Sequence, residues 1–207
     1  MQVEQQPATT REQIVAAADH VVHERGLAAA TTKAIAERAG CAEGSIYRYF
    51  PDKHALLIET IRTRFPSFID VVASLPERAG KATVRKNLEL VATTAIGFYR
   101  GVLPITAGCL SERKLLEEQR RMFQKTNTGP ARALGAVTAY LRREQRIGRI
   151  SDRVSPEHLS RTLLGTCFLQ AFSELVAGDD AAMGSDEQFA RETVRTLMEG
   201  AAVRTRG

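Results

Sequence analysis

Apolar residues recur every three to four positions along most of this chain, and nowhere do they alternate over the length of a strand. Ile14, Ala17, Ala18, Val21 and Val22 form the first stripe. Thr9 and Glu12 open it at capping-box spacing, and Gly26 closes it. Ala34, Ile35 and Ala39 make a short second stripe, with Thr31 as N-cap and Gly40 as the left-handed stop. The third holds only Ile46 and Phe50, four apart. Asp52 then caps a fourth helix with Leu56, Leu57 and Ile61, which Pro66 interrupts. Residues 68–75 resume the pattern and 76–81 form a loop. Longer helices follow over about 83–100, 111–126, 130–147, 156–177 and 186–203, with 101–109 as a weak, short element. The pattern predicts an all-α fold with no internal repeat.

The stretch 31–53 organises the rest. Two short helices separated by Gly40 have the outline of a helix-turn-helix, although a plain helical hairpin has the same outline. Ile46 and Phe50 face inward, so Gly44, Ser45, Arg48 and Tyr49 point outward, with Glu43 and Tyr47 at the edge. Ser, Arg and Tyr bond to phosphate oxygens and base edges, and an α-helix fits the major groove.

The run Gly44-Ser45-Ile46-Tyr47-Arg48-Tyr49-Phe50, then Asp52-Lys53 and Leu56-Leu57, resembles the TetR/AcrR family of bacterial regulators. Thr31-Thr32, Ile35-Ala36 and Ala39-Gly40 fit the same pattern, and the resemblance covers roughly residues 10–60. It implies an N-terminal three-helix helix-turn-helix DNA-binding domain over 9–55 and a larger C-terminal helical domain over 56–207 for ligand binding and dimerisation, while the polar, proline-containing residues 1–8 read as a disordered tail. The implied partners are a double-stranded DNA operator, an unknown small-molecule ligand and a second copy of the chain. Tyr47 and Lys53 match phosphate-binding positions, and Thr31, Thr32, Lys33, Glu43, Gly44, Ser45, Arg48 and Tyr49 complete the expected DNA surface. Two departures stand out. Ala42 replaces the Ser or Thr that often caps the recognition helix, and Glu43 replaces a common basic residue. Glu43 is either a charge favoured at a helix N-terminus, the preferred reading, or an acceptor for a cytosine amino group. Tyr47 has packing as its alternative role. Pro66 lies where the family couples its two domains, and a simple helix break accounts for it equally well.

Charge adds a constraint. The chain of 207 residues carries a net charge of +5, but its first sixty residues hold more Asp and Glu than Lys and Arg. DNA binding must therefore rest on a few placed groups rather than a basic field. The surplus of Lys and Arg falls within 61–150, where Arg142, Arg143, Arg146 and Arg149 form either a solvated face or a second anion surface.

The helix over 156–177 is apolar around more than half its girth, which requires cover from its own core or from another chain. The resemblance implies a four-helix dimer bundle, with Leu164, Phe168, Phe172, Leu175, Leu197 and Ala201 at the interface. Phe98, Tyr99, Cys109, Met122, Phe123, Tyr140, Phe168 and Phe172 are candidate pocket residues or, singly, ordinary core. No buried-acid pattern is evident there, which favours a neutral or anionic, partly aromatic ligand over a cationic one.

No phosphate loop or nucleophile elbow occurs, so an enzyme is the least favoured reading, and no cofactor or metal is expected. His20, His23 and Glu24 do not follow a zinc-helix order. Cys41, Cys109 and Cys167 form no redox or metal motif. No signal peptide or membrane span is evident, which points to the cytoplasm. The expected function is a sequence-specific repressor released by a small molecule. The alternative is a regulator of the same fold that senses redox state, with Cys41 as its handle, or another signal that is not a small molecule.

Overall fold

The computed structural model describes residues 10–64, 66–111, 113–178 and 183–200, and among these there is no strand. The chain forms α1 (Thr10–Ala29), α2 (Thr32–Ala39), α3 (Glu43–Tyr49), α4 (Lys53–Arg64), α5 (Pro66–Ser74), a 3-10 turn (Leu75–Arg78), α6 (Val84–Ser111), α7 (Arg113–Thr126), α8 (Pro130–Arg146), α9 (Pro156–Ala177) and α10 (Asp186–Glu199). Thr9 of the expected capping box and the expected tail 1–8 lie outside the described residues. So does Ala201, together with the expected last turn of α10.

Contacts divide the chain into two compact units. One comprises Met1–Phe65 with Pro104–Met122, and the other comprises Pro66–Leu103 with Phe123–Gly207. The expected boundary at 55/56 falls inside the first unit, because Leu56 and Leu57 of α4 belong to its core. That core also holds Ile14, Ala18, Val21, Val22, Ile35, Ile46 and Phe50. Each large apolar side chain buried there contributes about 1.5–3 kcal/mol.

Local chemistry explains the breaks. Gly26 adopts φ 76°, ψ 168° and bends α1 where a stop was expected. Thr31 accepts the Ala34 N–H at 3.1 Å and starts α2. Gly40, at φ 67°, ends it: Cys41 N–H donates to Ala36 O and Gly40 N–H to Glu37 O, the paired bonds of a Schellman stop. Asp52 accepts the Ala55 N–H at 2.8 Å and caps α4.

One expectation fails. Residues 101–109 are not a weak element, because α6 runs unbroken through Pro104 as part of a 28-residue helix. A proline removes one backbone hydrogen bond, and the bonds on either side hold the helix.

The second unit has its own core, including Phe68, Leu75, Leu88, Val91, Ile96, Val137, Tyr140, Leu141, Leu163, Leu164, Cys167 and Val194. Within it α8 packs on α9 and on the 3-10 turn, and α9 packs on α10. A buried polar cluster fixes the loop after the turn. Glu144, fully buried on α8, accepts the Gly80 N–H at 3.1 Å, and its other oxygen lies 3.3 Å from Arg149 Nε. Asn87 Nδ2 donates to Tyr140 Oη and to Lys81 O, both at 3.0 Å.

Candidate nucleic-acid interface

Seven residues form α3, and only Ile46 among them is buried. Phe50, just past its end, anchors the other side of the turn under the Arg11 guanidinium, 5.1 Å above the ring. With those two anchors inside, Glu43, Gly44, Tyr47, Arg48 and Tyr49 are exposed and Ser45 is half-buried. Tyr47 is 52% exposed, so it is not a packing residue. Thr31 and Lys33 are exposed, and Lys53 is half-buried in the first turn of α4.

The two departures at the start of α3 have distinct outcomes. Ala42 is the N-cap and makes no side-chain cap bond. Glu43 stands in the first turn of α3, where its charge favours the helix N-terminus, and Thr32 Oγ1 donates to its Oε1 at 2.5 Å. Thr32, expected on the DNA surface, has its single hydroxyl proton engaged by Glu43 instead.

The scaffold behind α3 is tied by charge. Arg11 and Arg62 both reach Glu59, at 3.0 and 2.9 Å. The Arg62 hydrogen bonds, assisted by Arg11 and opposed by burial, hold the Glu59 carboxyl down at about 2. His20 Nδ1 lies 3.2 Å from Arg38 and 3.6 Å from Glu24, a surface cluster of mixed charge. His23's side chain lies outside the described residues. Cys41 is a free, half-buried thiol packed against the first core.

Residues 14–60 match the model of the bacterial regulatory proteins of the tetR family. This chain belongs to the TetR family. Among its relatives is the fatty acid metabolism regulator protein of Bacillus subtilis, 25% identical over 154 residues, which span 74% of this chain and 77% of that protein. The TetR fold extends over more than nine-tenths of the chain, far past residues 14–60. FadR from Bacillus subtilis, solved in complex with stearoyl-CoA, superposes with a TM-score of 0.66 at 20% identity, over 92% of this chain and 98% of that one. SmeT, the repressor of the Stenotrophomonas maltophilia multidrug efflux pump SmeDEF, gives 0.65 at 20% identity, over 93% and 89%. The chain is thus a DNA-binding transcriptional regulator of the TetR type. None of its described helices is long and apolar enough to cross a membrane.

The second unit of this TetR-family chain sorts the remaining candidates. Phe98, Tyr99, Phe168 and Phe172 form one run of touching rings, joined by Phe68, whose position on a separate helix hid it from spacing arguments. Phe68 stacks on Phe98 at 4.7 Å, Tyr99 meets Phe168 edge-on at 5.6 Å, and Phe168 stacks on Phe172 at 6.2 Å. Burial pushes the Tyr99 hydroxyl up to about 12, and likewise the Cys167 thiol beside it. Tyr140 is elsewhere: fully buried and bonded to Asn87, it is core rather than pocket. Its hydroxyl is also pushed up to about 12, chiefly by burial, with Glu144 adding and Asn87 opposing. Phe123 lies over the Gly129 backbone, where an added Cβ would meet its ring at 2.8 Å. Met122 is half-buried, and the Cys109 side chain lies outside the described residues.

On α9 the outward face carries Phe168, Leu169, Phe172, Leu175 and Val176, between 43% and 68% exposed. Leu164 is not on it: it is 3% exposed in the unit's own core, which corrects its assignment to an interface. Leu197 is partly buried against the same core. Of the four clustered arginines, Arg142 pairs with Glu157, Arg143 donates to Pro76 O at 2.6 Å, and Arg149 serves Glu144 and Ala82 O. Arg142 and Arg146, with Gln145 and Asp152, line an open depression of about 620 Å³. Arg142, Arg143 and Arg149 thus tie the chain to itself.

Proposed function

We propose that this TetR-family regulator is a repressor that binds its operator as a homodimer and is released by a small molecule held in its second unit. The observation that carries the DNA reading is the outward face of α3. It presents Tyr47, Arg48 and Tyr49 beside a bare Gly44, and none of these four is buried in the chain's own core. Two such helices, one per protomer, fit successive major grooves roughly 34 Å apart. The apolar outer face of α9 supports the dimer, since exposed contiguous apolar surface marks an interaction site.

The ligand reading rests on the aromatic run from Phe68 to Phe172, which offers flat apolar surface and the Tyr99 hydroxyl. The second unit does contain a buried acid, Glu144, contrary to expectation. It faces Arg149 and the Gly80 N–H and so is not a counter-charge for a cationic ligand. A neutral or anionic ligand with a large apolar part remains the chemistry of choice. Stearoyl-CoA, present in the FadR structure, is the first probe to use.

DNA contact is tested with duplexes selected from a random pool by the full-length protein. Lys53→Ala should weaken binding to all sequences alike and lower the salt slope by roughly one. Tyr47→Phe should weaken it without changing the preferred sequence. Unchanged gel shifts in both variants would remove the contact assignment.

A further inference from the structure

We propose that Glu43 reads a cytosine in the operator and that Thr32 holds it in place to do so. This rests on the reading of α3 as the recognition helix and adds a base to it. The bond from Thr32 Oγ1 to Glu43 Oε1 joins the first residue of α2 to the first residue of α3. It fixes a carboxylate that would otherwise sample several rotamers, on an exposed residue. Glu43 Oε2 has no recorded hydrogen bond among the described residues. The neighbouring Gly44 is open: a Cβ built there meets nothing within 4 Å. An acceptor with one oxygen clamped and one free thus stands beside a stretch of bare backbone, in the helix turn that contacts base edges in helix-turn-helix proteins.

The chemistry then selects the partner. An ionised carboxylate only accepts hydrogen bonds. Phosphate oxygens repel it. In the major groove, guanine offers N7 and O6 and thymine offers O4, all acceptors. Adenine has a donor at N6, but the N7 acceptor beside it repels a second negative group. Cytosine N4 is a donor free of that neighbour, and Glu or Asp accepting from it is the matching pair. Sequence alone left this role second to a capping charge; the Thr32 bond holds one oxygen in place and leaves the other to an outside donor, so the same carboxylate serves both roles.

The test is a base-by-base affinity profile. Operator duplexes selected by the full-length wild type are synthesised with all four base pairs at each half-site position, and affinities are measured by fluorescence anisotropy at fixed salt. At one position the wild type should prefer cytosine roughly tenfold. Glu43→Gln should move that preference to adenine, because an amide donates to N7 and accepts from N6. Glu43→Ala should flatten the preference there, chiefly by raising affinity for the other three bases, as the repulsion between the carboxylate and their acceptors is lost. Thr32→Val should reduce the cytosine preference and leave the other positions unchanged. Thermal melts of each variant report folding separately. Unaltered base profiles in Glu43→Gln and Glu43→Ala would overturn the proposal. So would an affinity loss equal for every sequence with a lowered Tm, which would make Glu43 a staple between α2 and α3. A wild type with no sequence preference at all would overturn it together with the DNA-binding reading, and Lys53→Ala separates the two failures by reporting phosphate contact alone.

Discussion

Gly44 sits inside α3 with nothing within 4 Å of a Cβ built on it, and its φ is not in the left-handed range. The chain itself has no steric need for glycine there, and a helical glycine costs about 1 kcal/mol relative to alanine. On the proposed DNA reading, the bare backbone there lets a DNA edge approach. Gly44→Ala should therefore raise stability by up to about 1 kcal/mol and weaken operator binding; a stabilised variant with wild-type DNA affinity would show that Gly44 has no such role. Much at this scale was legible in the sequence. Thr31, Gly40 and Asp52 act on backbone groups within a few positions of themselves, so residue type and spacing suffice to place them. Glu43 was not legible in the same way. Its partner Thr32 is eleven positions away on another helix, and only the fold brings the two together.

Helices as units show where pattern reasoning succeeds and where it stops. The stripes predicted the number and order of the helices well, because burial of one face is what makes an amphipathic segment helical. The stretch 101–109 misled, since it reads as a weak, separate element although α6 passes through it. Glu144 was missed although it falls on the same helical face as Val137, Tyr140 and Leu141; a carboxylate in an apolar stripe is a readable signal of a buried pair. The link from α1 to α4 gives a pH test. Glu59 is held near 2, below its ordinary 4.5, first by Arg62 and then by Arg11. A depressed carboxyl stabilises the fold above its unfolded value and loses that contribution as pH falls from about 4.5 towards about 2. Glu59→Gln should thus melt below wild type at neutral pH, with the gap closing over that window. A gap independent of pH would remove the charge from the account. On α9, Phe172 is 44% exposed with Leu169 and Val176 beside it. Phe172→Glu should leave the protomer folded, since the side chain is not core, and place a carboxylate in the proposed contact at a cost of several kcal/mol. Sedimentation should then show monomers at micromolar concentration and gel shifts should show loss of binding. A wild type that is itself monomeric would end the two-groove model.

For the whole molecule the decisive quantity is a coupling between ligand and DNA, and that coupling is reciprocal. If a ligand lowers operator affinity by some factor, bound operator must lower ligand affinity by the same factor, and tenfold corresponds to about 1.4 kcal/mol. The ligand acts only through unequal affinity for the DNA-bound and free forms, however tightly it binds either. The aromatic run in the second unit gives apolar probes a surface, and the buried Glu144 already faces Arg149 Nε at 3.3 Å rather than a cationic ligand. Stearoyl-CoA, free long-chain fatty acids and aromatic acids should therefore be compared in two assays on the full-length protein. A true inducer should raise the Tm, as any ligand of the native state does, and should also release operator in a gel shift. Calorimetric titration of that inducer, with and without operator, should then return the same factor as the gel shift. Compounds that stabilise the protein but never release DNA would show binding without a switch, and a sensor of some other signal, such as the Cys41 thiol tested with peroxide, would take its place. Unequal factors in the two titrations would mean that release is not coupled to the bound state at all, for instance because the probe competes for DNA or disperses the protein.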